Sequence, residues 1–179
     1  FKKINFIKKN NFVVFLGSDG VGKTTIIKKI SKDVKFKVFE EYFGLNINRW
    51  YSKTLYFLYN IEVFKIIKFN YFFLALDIML KRLRIIRYSG NNLVLIDRFP
   101  GFLFFSTLGY MFYKLLLPKP DLVVLLEANE NTRKLRKKDE FKNDTKKWKQ
   151  VAKKINQPLL ILQTDRENKD KIKTKIINK

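Results

Sequence analysis

A glycine-rich segment follows a short apolar run near the start of the chain, and it limits the possible folds more than any other feature. The run FVVFL is followed by GSDGVGKTT, so three of the seven glycines in 179 residues lie within six positions. Glycine is expected where the backbone must turn with positive φ and point its N–H groups at a common centre. A strand, a tight loop and a helix in this order predict the first unit of a parallel α/β sheet.

The spacing of the segment also predicts what the loop binds. Gly17, Gly22, Lys23 and Thr24 fit the phosphate-binding pattern G-x-x-x-x-G-K-[ST]. Loop amides and the start of the next helix attract phosphate, Lys23 adds charge at the β and γ phosphates, and the Thr24 hydroxyl is placed to ligate Mg²⁺. We therefore predict ATP and Mg²⁺ as cofactors. The predicted nucleotide-binding residues are Gly17, Ser18, Asp19, Gly20, Val21, Gly22, Lys23, Thr24 and Thr25.

A second constellation follows a later apolar strand, in the segment LVLIDRFPG. Asp97 and Arg98 come at the carboxyl end of that strand, where open α/β sheets place their ligands. Beside a phosphate loop, Asp97 would serve the magnesium ion together with Thr24, and Arg98 would neutralise a phosphoryl group in transit. An ordinary ion pair at the end of a strand is the alternative interpretation.

A third feature is a strand that leads through a polar turn into a basic helix, Leu122 to Lys138. We predict a lid region at about residues 128–145 that closes over the triphosphate. Arg136 is chosen as its catalytic arginine ahead of Arg133, so the predicted catalytic set is Lys23, Asp97, Arg98 and Arg136. A solvated basic helix would explain the same pattern.

Alternating apolar and helical patterns predict one α/β domain that covers residues 1–179. The predicted strands are Phe12–Leu16, Phe36–Phe39, Leu93–Ile96, Leu122–Leu126 and Leu159–Leu162. The predicted helices are Lys23–Ser31, Trp50–Lys68, Tyr71–Tyr88, Asn131–Lys138, Thr145–Ile155 and about Asn168–Ile177. The uncharged stretch Phe99 to Tyr113 is predicted to form a buried helix or a substrate lid, because it is too short to span a membrane.

Composition restricts the chemistry that the chain can use. Histidine and cysteine are absent, so the commonest general base and thiolate chemistry are excluded. The net charge of +22 would suit nucleic acid or an anionic membrane surface, but codon bias could also spread lysine over the surface. The basic residues are scattered, which predicts only weak binding to either. No secretory signal precedes the first strand, so a cytoplasmic location is expected.

The motifs together resemble the thymidylate kinase family, within the nucleoside monophosphate kinase group. The similar segments are FVVFLGSDGVGKTT, FFLALDIMLKRLRIIRYSGNNLVLIDRF, PDLVVLLEANENTRKLRKK and LLILQTDRENKDKIKTKI. The resemblance implies a three-layer P-loop NTPase fold with about five parallel strands flanked by helices. It also implies that Asp19 lies near the acceptor sugar, that Arg98 bridges the two phosphates and that Arg136 comes from the lid.

The departures from the family affect the acceptor more than the donor. FEEYFGLNINRW stands where thymidylate-phosphorylating relatives carry Arg-Glu-Pro-Gly, and Asp77 is followed by Ile78 where they have arginine. These differences resemble the divergent relatives associated with surface-polysaccharide genes. The expected reaction is ATP-dependent phosphoryl transfer to dTMP or a related monophosphate. The alternatives are a nucleotide-binding protein without kinase activity and a basic protein that binds nucleic acid or membranes. The apolar faces of the long helices could pair two subunits as a homodimer.

Overall fold

The computed structural model describes residues 12–34, 37–43, 54, 57–58, 60–62, 70–90, 92–105, 107–136 and 144–177. The strands are β1 Phe12–Leu16, β2 Val38–Tyr42, β3 Leu93–Asp97, β4 Leu122–Glu127 and β5 Leu159–Gln163. The α-helices are α1 Lys23–Asp33, α2 Asn70–Ser89, α3 Thr107–Leu116, α4 Glu130–Arg136, α5 Thr145–Ile155 and α6 Lys169–Ile177. A 3₁₀-helix at Gly101–Phe105 precedes α3.

The five strands form one parallel sheet in the order β2-β3-β1-β4-β5. β1, β3 and most of β4 are buried along their length, which explains why their sequences are continuous apolar runs. β1 lies between β3 and β4. β2 and β3 lie on one side of β1, and β4 and β5 lie on its other side, so the direction in which strands are added reverses at β1. This is the point where open α/β sheets place ligands, and the glycine loop begins there.

Two apolar clusters cover the two faces of the sheet. One joins alternate strand residues such as Val13 and Phe15 to apolar residues of α1 and α6. The other joins Val14 and Leu16 to residues of α2, α3 and α5. Helices therefore flank the sheet on both sides, and the predicted three-layer α/β fold is confirmed.

Most element predictions hold, with one clear error at β2. The prediction placed this strand at Phe36–Phe39, whereas it runs from Val38 to Tyr42. Its second half is Glu40-Glu41-Tyr42, which is not an apolar run, and Glu40 is exposed because β2 is an edge strand. The predicted helix Trp50–Lys68 lies largely outside the described residues, as does the 137–143 part of the predicted lid.

Among the residues that the structure describes, no helix combines the length and the apolar character needed to cross a membrane. The stretch that begins at Phe99 instead folds into the 3₁₀-helix and α3, with Phe99, Phe104 and Tyr113 buried against one another. This agrees with the buried-helix alternative for that segment.

Candidate functional site

The loop after β1 requires glycine at three positions because each has positive φ. Gly17, Gly20 and Gly22 have φ values of 138°, 82° and 92°. A Cβ atom on Gly17 would overlap the backbone oxygen of Leu126, and one on Gly20 would lie 3.2 Å from the oxygen of Arg133. The glycines therefore permit both the turn and the close approach of β4 and α4 to the loop.

Lys23 begins α1 and folds back across the loop. Its Nζ atom donates hydrogen bonds to the carbonyl oxygens of Gly17 at 2.7 Å and Ser18 at 2.8 Å. The side chain is buried, and this desolvation lowers the pKa of Lys23, partly offset by the nearby carboxylates of Asp97 and Asp19. The carboxylate of Asp19 lies 4.0 Å away. The ammonium group is thus held against the carbonyl oxygens at the start of the loop.

Thr24 and Asp97 form a polar contact between α1 and β3. The Thr24 Oγ1 atom donates to Asp97 Oδ2 at 2.6 Å. Asp97 is 8% exposed, and its Oδ1 atom is buried without a hydrogen-bond partner among the described residues. A hydroxyl and a carboxylate with a free buried oxygen are the hard oxygen donors that Mg²⁺ prefers, so these residues fit the ion.

Arg98 turns back toward the glycine loop immediately after β3. It has φ of 54°, a left-handed conformation that is uncommon for a residue with a side chain. Its Nη2 atom lies 3.2 Å from Asp19 Oδ1, and its guanidinium lies over the Tyr42 ring at 5.6 Å from the centroid. Asp19 therefore links Arg98 to Lys23, and the structure brings these residues together with Asp97 at one end of the sheet.

The two arginines of α4 occupy different environments. Arg136 is exposed, and its Nη1 atom donates to the carbonyl oxygen of Gly20 at 3.2 Å. Arg133 is 2% exposed. It donates to the Asp19 carbonyl at 3.2 Å and to Thr145 Oγ1 at 3.1 Å, and lies 3.5 Å from an Asp144 carboxylate oxygen. Arg133 thus ties the loop to α4 and to the start of α5. Sequence reasoning missed this role because both arginines sit in one basic run.

A buried group of charged residues lies beside β2 and was also missed. Glu41 is 1% exposed, with Arg84 Nε at 3.8 Å from its Oε2 atom. Lys81 is fully buried and donates to Asp77 Oδ2 at 2.6 Å, with its Nζ atom 5.7 Å from the centroid of Phe43. The i, i+4 spacing of Asp77 and Lys81 was the available signal. Because Glu41 and Tyr42 pair with Ile96 and Asp97 in the sheet, the group borders the site on the β2 side.

An open groove of about 360 Å³ extends from the loop along α1. It is lined by the Thr24 and Thr25 side chains and by Lys28, Lys29 and Lys32. Lys29 pairs with Asp170 of α6 at 2.7 Å. The groove carries excess positive charge next to the predicted phosphate site.

Comparison with known proteins decides the fold. No protein-family model and no curated protein matches the chain. Solved structures do match. A thymidylate kinase from Candida albicans has a TM-score of 0.58 and 14% identity, over 94% of this chain and 89% of that one. The fold is that of the P-loop kinases.

Deoxyadenosine kinase from M. mycoides matches in two further structures. With dCMP and a flexible dCDP bound, it has a TM-score of 0.52 and 19% identity, over 93% of this chain and 96% of that one. With dATP bound, it has a TM-score of 0.51 and 17% identity, over 92% and 96%. The predicted resemblance to the P-loop nucleoside monophosphate kinase group is therefore confirmed as a likeness of fold.

Proposed function

We propose that the chain is a kinase that transfers the γ-phosphoryl group of ATP to a small nucleoside-type acceptor, with a nucleoside monophosphate such as dTMP as the first candidate. The observation that carries the proposal is the common placement of Lys23, Thr24, Asp97 and Arg98 around one glycine loop. A nucleoside kinase and a nucleotide kinase among the proteins of similar fold support it. A cytoplasmic location remains a prediction.

The residues would act through position and charge, since phosphoryl transfer has a loose transition state and needs little acid–base chemistry. The loop amides and Lys23 would hold the β and γ phosphates. Arg98 and Arg136 would neutralise charge on the transferred group from two sides. When bound, Mg²⁺ would supply positive charge that offsets the negative charge of the phosphates. Thr24 and Asp97 would hold the ion, and among the described residues no cluster of three or more acidic side chains offers another metal site.

A nucleoside hydroxyl is the second candidate acceptor. A hydroxyl needs a carboxylate to accept its proton, whereas a phosphate does not. Asp97 and Asp19 lie at the carboxyl end of the sheet, and Glu41 lies one residue before the strand position that pairs with Asp97. These carboxylates would be the groups that accept the proton of a hydroxyl acceptor.

The test is formation of ADP from MgATP with a panel of nucleosides and nucleoside monophosphates. We expect turnover with at least one acceptor, and its loss when magnesium is chelated. Lys23→Ala should lower kcat/KM by roughly 100-fold or more, because one preorganised charge at a transition state contributes a few kcal/mol.

Lys119→Ala is the matched control, because this exposed lysine lies just before the amino end of β4, opposite the site. It should leave kcat/KM unchanged. Nucleotide binding without turnover of any acceptor would instead support a binding protein, and equal turnover by Lys23→Ala and the wild type would overturn the assignment of the loop.

A further inference from the structure

The groove of about 360 Å³ along α1 is not used by the proposed reaction beyond its first residues. We call it the α1 groove and define it by Thr24 and Thr25 at the loop end and by Lys28, Lys29 and Lys32 beyond them. An α-helix rises about 1.5 Å per residue, so this lining extends for about 12 Å. The described lining contains hydroxyl and ammonium groups and no aromatic or branched aliphatic residue, so the groove suits an elongated anion better than a base or a lipid chain.

The lysines of the α1 groove keep most of their charge unneutralised. Lys28 and Lys32 are exposed, and neither forms an ion pair with a residue that the structure describes. Lys29 contacts the Asp170 carboxylate of α6 at 2.7 Å. Two ammonium groups four positions apart on one helix repel each other and destabilise it. A bound anion would relieve this repulsion between Lys28 and Lys32.

Carboxylates near the same helix are bound by other groups. Asp33 follows Lys32 in the chain, but its Oδ2 atom accepts a hydrogen bond from Lys173 Nζ at 2.7 Å. Glu40 of β2 accepts a hydrogen bond from Ser31 of α1. Each of these carboxylates therefore has a partner other than a lysine of the α1 groove, and the groove keeps a net positive charge.

The α1 groove is continuous with the phosphate loop. The Thr24 hydroxyl, which donates to Asp97 Oδ2 at 2.6 Å, borders both the proposed magnesium site and the groove. The first turn of α1 carries no acidic residue of its own, which leaves the positive end of the helix dipole favourable to an anion. A chain of phosphates held at the loop would meet Thr25 next and then the lysines.

We propose that the α1 groove binds a linear inorganic polyphosphate whose end occupies the glycine loop. The inference rests on the proposed binding of phosphate by the loop and adds a longer anion to it. Repeating phosphates without a base match a lining of cations and hydroxyls, because each ammonium group is a compact point charge that can meet one phosphate. Single-stranded nucleic acid suits the groove less well, since its bases gain affinity by stacking on aromatic rings, which the described lining lacks.

The first experiment is calorimetry of the full chain with pyrophosphate, tripolyphosphate and a long linear polyphosphate, without divalent cations. We expect the affinity to rise with chain length and to fall as salt increases, because lysines that bind a linear polyanion release its counterions. Lys28→Ala/Lys32→Ala should weaken the long chain by at least about fivefold and lower the salt slope by about one to two, since two phosphate contacts are lost. Pyrophosphate, which is short enough to stay in the loop, should bind both proteins equally.

Lys119→Ala/Lys153→Ala is the matched control. It removes two exposed lysines at the opposite end of the sheet, just before β4 and near the end of α5. The control should leave both the affinity and the salt slope unchanged. Equal losses in the two double variants would mean that scattered surface charge binds the chain. That result, or a long chain that binds no more tightly than pyrophosphate, would overturn the proposal.

A second experiment locates the end of the bound chain by competition. With free Mg²⁺ held constant, the long polyphosphate should raise the apparent Kd of ATP for the wild type. Lys28→Ala/Lys32→Ala should bind ATP as the wild type does but resist this competition. ATP binding that is unchanged at saturating polyphosphate would place the anion away from the loop and refute the shared site.

Two further outcomes separate the alternatives. An oligothymidylate of matched charge that binds with the same affinity and the same dependence on Lys28 and Lys32 would make nucleic acid the occupant and contradict the polyphosphate assignment. A protein that binds no ATP would refute the proposed function, whereas calorimetry reads polyphosphate binding through the two lysines independently. A protein that binds ATP but no long polyphosphate would refute the α1 groove alone.

Discussion

Backbone conformations that side chains rarely adopt are concentrated at the carboxyl end of the sheet. Gly17, Gly20, Gly22 and Arg98 all have positive φ there. Among the described residues the remaining non-glycine with positive φ is Asn156, which follows α5 as its C-cap. Residues held in such regions cost stability unless they are glycine, and they are common at functional sites. The positive φ of Arg98 therefore supports its proposed role at the phosphates.

The most restrictive of these positions is Gly17, and we expect Gly17→Ala to lower the free energy of unfolding by about 2 kcal/mol or more. The new methyl group would combine a φ of 138° with overlap on the Leu126 oxygen. Gly90→Ala is the control, because nothing lies within 4 Å of a Cβ atom there, and its effect should stay within about 0.5 kcal/mol. Urea unfolding measures both. Equal stability of the two variants would contradict the loop geometry.

At the scale of elements, α4 contributes one structural and one exposed arginine to the loop. Arg133 is buried between the loop and α5, so Arg133→Met leaves Asp144 without its charged contact and removes two hydrogen bonds. We expect it to lower the free energy of unfolding by about 2 kcal/mol, because two hydrogen bonds of a buried arginine are lost and the Asp144 partner is 30% exposed. Arg136→Met should change stability by less than about 0.5 kcal/mol.

Kinetics separates the two roles further. If Arg136 acts on the phosphoryl group, Arg136→Met should lower kcat by about tenfold or more while the melting temperature stays the same. The reverse pattern, with Arg133→Met stable but inactive, would assign the catalytic role to Arg133. Thermal unfolding and steady-state ADP formation on the same preparations give both quantities.

α3 contains a buried hydroxyl group, that of Tyr113. This residue is 5% exposed, and its hydroxyl has no hydrogen-bond partner among the described residues. Burial, and to a lesser degree Tyr110, raises the pKa of Tyr113 to about 12. Because a buried unpaired hydroxyl is unfavourable, we expect Tyr113→Phe to raise the free energy of unfolding by about 1 kcal/mol at neutral pH.

The raised pKa adds a pH dependence of definite sign. Above pH 10 the unfolded chain loses the Tyr113 proton while the folded chain keeps it until about pH 12, so ionisation stabilises the unfolded state. Wild-type stability should therefore fall more steeply than that of Tyr113→Phe between these values. Parallel pH profiles from urea unfolding would contradict the burial of this hydroxyl.

The strands and the glycine loop could be predicted from the sequence because their determinants are local. β1 and α5 begin and end where the prediction placed them, and β3 and β4 are each longer by one residue. β2 was misplaced because an edge strand does not need a continuous apolar run. The contact between Arg133 and Asp19, which are 114 positions apart, was not predicted, because no motif in the sequence links the two residues.

The whole molecule has 38 basic and 16 acidic residues. This excess of positive charge opposes folding, because compaction brings like charges together. Exposed ion pairs such as Lys134–Glu130 offset little of this repulsion. We expect the melting temperature to rise by several degrees as NaCl increases from about 0.05 to about 0.5 M, since screening shortens the range of the repulsion. A melting temperature that fell with salt would mean that ion pairs dominate.

Screening can be separated from binding at the loop by comparing anions at equal ionic strength. Pyrophosphate resembles the β and γ phosphates and should raise the melting temperature beyond the value in NaCl, because a ligand that binds only the folded state stabilises it. Lys23→Ala should remove this excess while keeping the NaCl effect, since one charge among many scarcely alters the overall repulsion. If pyrophosphate acts equally on both proteins, its effect comes from the scattered basic surface, and the loop does not bind phosphate in the way its geometry suggests.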